Sequence, residues 1–132
     1  MNIDHLRALL SLEQQEPVVL CYLDDPRVSG FVGGSTRPVL LSWDTVVKQK
    51  ARHPDIGFEE YRIIPEVVRF GMVAQERSRE LIFCYNHPDG RRFRLTIKAT
   101  FSGEVFVTSF HRTKPHQTKA ILARASLVRK HA

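Results

Sequence analysis

The sequence predicts an α+β fold in a single domain, residues 1–132: N-terminal helices, then an antiparallel sheet, then a closing C-terminal helix. Three observations carry this prediction. From Arg92 to Phe101 the chain alternates without a break, with Phe93, Leu95, Ile97, Ala99 and Phe101 on one side and Arg92, Arg94, Thr96, Lys98 and Thr100 on the other. Strand side chains point to opposite faces in turn, so this stretch is a strand with an apolar face and a cationic one. Ser102-Gly103 forms a two-residue turn, and Glu104 to His111 returns as the second strand of a hairpin. On either side of the hairpin, apolar residues recur at the three-and-four spacing of amphipathic helices.

Taken in order, Ile3, Leu6, Leu9 and Leu10 predict a first helix over residues 4–15, with Asp4 near its start and Pro17 ending it. PVVLCYL reads as a short buried strand. Residues 24–38, rich in Gly, Pro, Ser and Asp, form the longest irregular stretch. Their glycines make no phosphate-binding fingerprint, because no GK[ST] follows. Val39 to Leu41 leads into Ser42, a helix N-cap, for a helix through Trp43, Val46, Val47 and Ala51 to about His53. Residues 55–71 are helical but divided at Pro65, with Gly71 closing the second part. Met72 to Ala74 is a weak strand, Leu81 to Tyr85 a central one, and Asn86 to Gly90 a turn that holds His87. Pro115 opens the last helix, whose apolar stripe is Ile121, Leu122, Ala125 and Val128, with Lys119, Arg124, Arg129 and Lys130 outside.

Composition narrows the function classes. Hydrophobic content of 42% and charged content of 26% are those of a soluble globular protein. No apolar run approaches the roughly 20 residues of a membrane helix. MNIDHLRALLSLEQQ lacks a signal-peptide layout, since Asp4 and Glu13 interrupt it, and a cytoplasmic location in the producing or target cell is expected. Cys21 and Cys84 lie inside apolar runs with no CxxC spacing, the pattern of buried, inert thiols. The net charge of +6 is unevenly spread: residues 1–90 carry a net −3, residues 91–132 a net +9. Such a basic part points to a polyanion as partner, against the plainer reading of a solvated basic face.

The register of the hairpin gathers the chemistry. If Phe101 pairs with Glu104, Lys98 lies opposite Val107, Thr96 opposite Ser109 and Arg94 opposite His111, and directly opposite residues share a face. A three-residue loop flips that parity. On the helix before the sheet, Lys50 and His53 follow Val46 by four and seven residues, so His53 is placed to point towards the sheet. Alone, it is better read as a half-buried histidine at a helix end. Metal-free cleavage of RNA needs a base for the 2′-hydroxyl, cations for the charged phosphorane, and an acid for the departing 5′-oxygen. Histidine titrates near pH 6.5 and serves as either base or acid, while Arg and Lys supply fixed positive charge. His111 and His116 have no nearby Asp, Glu or Cys, so no metal site or cofactor is expected. Ser109 has no GxSxG elbow around it and is read as a phosphate donor or a plain strand residue.

The run LLSWDTVVKQKARHPDIGFEEYRIIPEVVRFGMV, followed by GRRFRLTIKAT and EVFVTSFHRTKP, resembles the phage-associated branch of the barnase, EndoU, colicin D and RelE nuclease superfamily. The resemblance spans residues 39–126, the nuclease-like core, with residues 1–38 as a preceding helix, strand and loop. It implies N-terminal helices packed on a roughly four-stranded antiparallel sheet, and metal-independent endoribonuclease activity of the kind shown by transfer-RNA-cleaving toxins. In the colicin D type, a helical histidine with neighbouring lysines faces a serine and an aromatic residue two apart on a strand. His53 with Lys48 and Lys50 matches the first part. Ser109 and His111 match the second in spacing, with His111 in place of the aromatic. Glu104, at a hairpin tip, is no counterpart of barnase's catalytic glutamate.

The leading expectation is an endoribonuclease, a toxin or phage-encoded effector. His53 and His111 would be its acid/base pair, Lys98 and Arg94 would stabilise the phosphorane, and Ser109 would donate to a phosphate oxygen. Lys48, Lys50, Arg92, Arg112, Lys114 and Lys119 would hold the RNA backbone. RNA, transfer RNA among the candidates, is the expected partner, and a cognate immunity or antitoxin protein is a candidate second one. Two readings stay open beside it: a non-catalytic nucleic-acid-binding phage or virion module, and, ranked last, a toxin that consumes NAD.

Overall fold

The structure, a computed structural model, describes residues 1–130. It is α+β, as the order of elements predicts. Seven strands form one mixed sheet: β1 (Val18–Leu23), β2 (Arg37–Leu41), β3 (Met72–Gln75), β4 (Glu80–Asn86), β5 (Arg92–Ala99), β6 (Val105–Arg112) and β7 (Ser126–Arg129). Their spatial order is β1-β2-β6-β5-β4-β3-β7. All neighbours are antiparallel except β2 and β6, which run parallel over two residue pairs, Val39 with Val105 and Leu40 with Phe106. The sheet is therefore wider than the four antiparallel strands expected. The additions are a β1–β2 hairpin on one edge and β7 on the other.

Helices α1 (Ile3–Leu10), α3 (Trp43–Arg52), α4 (Phe58–Tyr61) and α5 (Ile64–Phe70) contribute to the main core. Leu6, Leu9, Val46, Tyr61, Ile64 and Val67 pack there with Phe83, Phe93, Leu95, Val107 and Phe110 of the sheet. Each wholly buried side chain of this size contributes roughly 1.5–3 kcal/mol. Local chemistry explains most element ends. Asn2 caps α1 by accepting the His5 N–H at 3.1 Å, and Asp4 stands in its first turn as expected. Ser42 caps α3, Pro65 stands in the first turn of α5, and Gly71 ends it. The stretch 24–38 is less irregular than its composition suggests: Asp25 caps a short α2 (Pro26–Ser29), a 3-10 turn follows over Gly30–Val32, and Arg37 already belongs to β2.

The second sheet face is covered too. Helix α6 (Pro115–Arg124) sets Ile121 into a small cluster with Ala74, Ile82 and Cys84. Cys84 lies opposite Arg94 and Ile82 opposite Thr96. Since opposite residues share a face, α6 roofs part of the surface expected to be open and cationic. On that face Thr96 is buried and Arg94 is only half exposed. The last helix is also shorter than its stripe predicts. Ala125 is extended, and the chain turns back so that Leu127 pairs with Ala74 and Arg129 with Val73. Arg129, expected outside, is buried. Its guanidinium donates to the Val68 and Gly71 carbonyls and to Asp25 Oδ2 at 3.1 Å.

The hairpin departs from expectation twice, and the two departures cancel. Its loop has three residues, Phe101 to Gly103, closed by the Thr100 N–H on the Glu104 carbonyl at 2.8 Å. Gly103 takes φ +88°, which favours glycine and suits a three-residue loop. Near the tip this shifts every pair by one residue, so Lys98 lies opposite Phe106 rather than Val107. Thr108 then bulges out of β6, and below it Thr96 pairs with Ser109 and Arg94 with His111, as the sequence predicts. Phe101, assigned to the apolar face, lies past the end of the strand and is 91% exposed.

Candidate active site

The site is built by α3 lying along an edge of β6. After Leu40 β2 parts from β6, Leu41 still pairing with Val18 of β1, and Ser42 starts α3 by accepting the Thr45 N–H. Helix side chains then take the place of a neighbouring strand. Thr45 Oγ1 donates to the Val107 carbonyl at 3.0 Å, and Lys48 Nζ to that of Thr108 at 2.6 Å. Gln49 engages Phe110 twice, donating from Nε2 to its carbonyl at 2.5 Å and accepting its N–H at 3.3 Å. Thr45 and Gln49 are one turn apart, about 6 Å of helix rise. Val107 to Phe110 spans about 10 Å in a regular strand. The Thr108 bulge absorbs the extra residue and keeps helix and strand in step.

One turn beyond Gln49, His53 ends the helix, its N–H on the Gln49 carbonyl at 2.7 Å. Its ring stacks on that of His111, with centroids 4.7 Å apart and planes 23° from parallel. Two histidines 58 positions apart in the chain thus meet. Burial, and then the neighbouring His111 charge, lower the His53 pKa; Asp55 opposes the shift and Arg52 adds to it. His111 Nδ1 lies 2.9 Å from the Arg112 carbonyl, an acceptor only, so Nδ1 carries a hydrogen and Nε2 is the free nitrogen.

The other predicted residues divide into those near this pair and those apart from it. Arg94 is directly across the rung from His111 on the shared face, and its Nε is buried with no hydrogen-bond partner. Ser109, half-buried, is on the next rung of that face, opposite Thr96 and about 7 Å along. Arg92, Arg112 and Lys114 ring an open groove with Arg91 and Gln117, starting next to His111 where α6 begins. Lys98 does not join the histidines. It is on the same face as Arg94 but about 13 Å along the strand, exposed, between Phe106 and Glu80. Lys48 spends its ammonium on the strand backbone. Lys50 lines a crevice with Arg7, Ser11 and Phe58, and Lys119 is exposed on α6 outside the groove.

The residue that sequence reading passes over is Gln49. It is buried, and Val46, Gln49 and His53 form one helical line, which is the only signal of its role. Replacing Gln49 by leucine leaves the Phe110 N–H and carbonyl unpaired in a buried place. We expect a loss of about 2 kcal/mol in urea unfolding, with faster exchange of the Phe110 amide proton. A variant as stable as the parent would show that α3 does not depend on this clamp.

The His53 shift has a sign that can be checked. A histidine whose folded pKa is depressed binds fewer protons folded than unfolded, so its contribution falls as pH drops through about 6.5. In an NMR titration His53 is expected to titrate below that value, and His111→Asn, which removes the adjacent charge, to move it upward. A midpoint that His111→Asn leaves in place would contradict the coupling.

A roomier cavity, about 650 Å³, lies elsewhere, between Leu20, Tyr22, Val28, Val68 and Arg69. Its buried charge, Arg129, is already held by Asp25 and two backbone carbonyls. Among the described residues no three His, Cys, Asp or Glu side chains are grouped to hold a metal ion. Nor is any helix among them long and apolar enough to cross a membrane. No protein-family model, curated protein or solved structure matches the chain.

Proposed function

We propose that the protein is a metal-independent endoribonuclease of the barnase, EndoU, colicin D and RelE kind, a toxin or phage-encoded effector acting on RNA in the cytoplasm of the producing or target cell. The observation that carries the proposal is the stacked pair of His53 and His111 with Arg94 across the rung. His53, whose neutral form is favoured, takes the proton from a 2′-hydroxyl. The 2′-oxygen attacks phosphorus, and the bond to the 5′-oxygen breaks. His111, acting as the imidazolium, gives that oxygen the proton on Nε2 and is left neutral, while Nδ1 keeps its hydrogen on the Arg112 carbonyl. The products are a 2′,3′-cyclic phosphate and a free 5′-hydroxyl. Arg94 brings a guanidinium to the same face, where negative charge builds up on the phosphorane, and Ser109 supplies a hydroxyl one rung away. Arg92, Arg112 and Lys114 hold the flanking backbone.

The test is incubation of the purified protein with total RNA, transfer RNA included, in EDTA. Fragments ending in 2′,3′-cyclic phosphate are expected. The groove of Arg92, Arg112 and Lys114 also favours a second reading, a nucleic-acid-binding module without chemistry. Intact RNA retarded on a gel would select that reading instead. A cognate immunity or antitoxin protein would have to cover the histidines, and its addition would stop cleavage.

A further inference from the structure

The tip of the β5–β6 hairpin carries an aromatic ring that the fold does not use. Phe101 is 91% exposed, more than any other large hydrophobic residue among those described. A ring left this far in water contributes little to folding. Yet it has a defined neighbour. The Arg79 guanidinium lies over one ring face, 3.8 Å from the centroid. Arg79 is itself tied to the hairpin twice: Nη1 donates to the Thr100 carbonyl at 3.3 Å, and the Arg79 carbonyl accepts the Ala99 N–H at 2.8 Å. Thr100 Oγ1 meets Ser102 Oγ at 3.0 Å and accepts the Glu104 N–H at 3.1 Å, fixing the loop beneath the ring.

We propose that Phe101, backed by Arg79, is a stacking platform for an unpaired base of single-stranded RNA. Its substrate class rests on the endoribonuclease reading, but it does not depend on the histidine chemistry. One face of the ring is covered by a cation and the other is open, an arrangement that suits a flat π-system. Cations from three separate segments lie at this end of the hairpin. Arg37 comes so close that a Cβ on Gly103 would lie 3.3 Å from its Nη2, Arg79 stacks on the ring, and Lys98 is exposed near the end of β5. Two carboxylates are also near: Glu80 opposite Lys98, and Glu104, which accepts from Ser102. The balance stays positive, as a ligand bringing both a base and its phosphate requires. A protein partner fits less well. Thr100, Ser102 and Glu104 flank the ring, and one aromatic side chain is far smaller than the apolar patches that mark protein docking. The tip is about 20 Å along the hairpin from the rung of Arg94 and His111, and Lys98 shares the face of Arg94 between the two. A bound strand would therefore be held at two points, some nucleotides apart. Lys98, which stands away from the histidines, acquires a role as a phosphate contact on this path.

The experiment is fluorescence anisotropy with a labelled 2′-O-methyl dodecaribonucleotide, which binds but cannot be cleaved. Phe101→Ala is expected to raise Kd by about tenfold, Phe101→Trp to leave it within about twofold, and neither to move the melting temperature. Binding by Phe101→Ala equal to the parent, or no binding by the parent, overturns the platform. Cleavage of natural RNA is scored separately. A protein that cuts no RNA but loses oligonucleotide binding with Phe101→Ala would sink the nuclease reading and keep the platform. One that cuts RNA while Phe101→Ala binds normally would do the reverse.

Discussion

Replacing His53 by alanine is expected to lower kcat/KM for RNA cleavage about a thousandfold, with the melting temperature within a degree or two of the parent. General base catalysis by a positioned histidine is typically worth 10²–10⁴ in rate. His53 closes α3 with its backbone, while its half-exposed ring touches His111, so truncation removes chemistry and little packing. His111→Ala is expected to do the same, and the double variant to be scarcely slower than either single one, because a base without its acid has little left to contribute. Single-turnover cleavage of one defined RNA, followed by product mapping, measures all three. Normal cleavage by His53→Ala would remove it from the mechanism whatever the result for His111. Multiplied losses in the double variant would mean that the two act independently, against the proposed division of labour.

The largest effect on stability is expected at the other end of the sheet. Arg129→Met keeps much of the side-chain length but removes the guanidinium from the Val68 and Gly71 carbonyls and from Asp25. Breaking a buried charged pair costs about 3–5 kcal/mol. Asp25 is itself only half-buried and retains Arg27, the first cause of its strongly lowered pKa, so the lower end of that range applies. For a domain of this size, a drop of roughly 10 °C in melting temperature follows. Thermal unfolding of the variant checks it. Unchanged melting would show that β7 is anchored by its ladder alone, and that the buried guanidinium is incidental.

The local parts of this architecture were legible in the sequence. Alternation from Arg92 to Ala99 marks β5, Ser42 marks the start of α3, and Pro65 and Gly71 bound α5. The pairing of Arg94 with His111 is also predicted, although for an incomplete reason. A longer loop and a bulge offset each other, and neither leaves a strong trace in the residues around Ser102 and Thr108. What stayed hidden was set by distant contacts. Ser126 to Arg129 continues a helical-looking stripe but is drawn onto β3, where Arg129 finds two carbonyls. Phe101 fits the alternation as its last member, yet the strand has already ended. Lys48 and Lys50 look equivalent on the helix. Only the position of β6 decides that one caps a carbonyl and the other faces away. Gln49 was passed over because a buried amide bonding to a strand cannot be told, in sequence, from a solvated one.

The side chains by which α3 follows β6 have one more consequence. A strand whose neighbour departs after two residue pairs would present free amide and carbonyl groups on which another polypeptide could add by edge-to-edge growth. Thr45, Lys48 and Gln49 occupy those groups without supplying a backbone of their own. The breach in the sheet is thereby closed to chain addition, while the imidazoles at its mouth stay open to a much thinner guest.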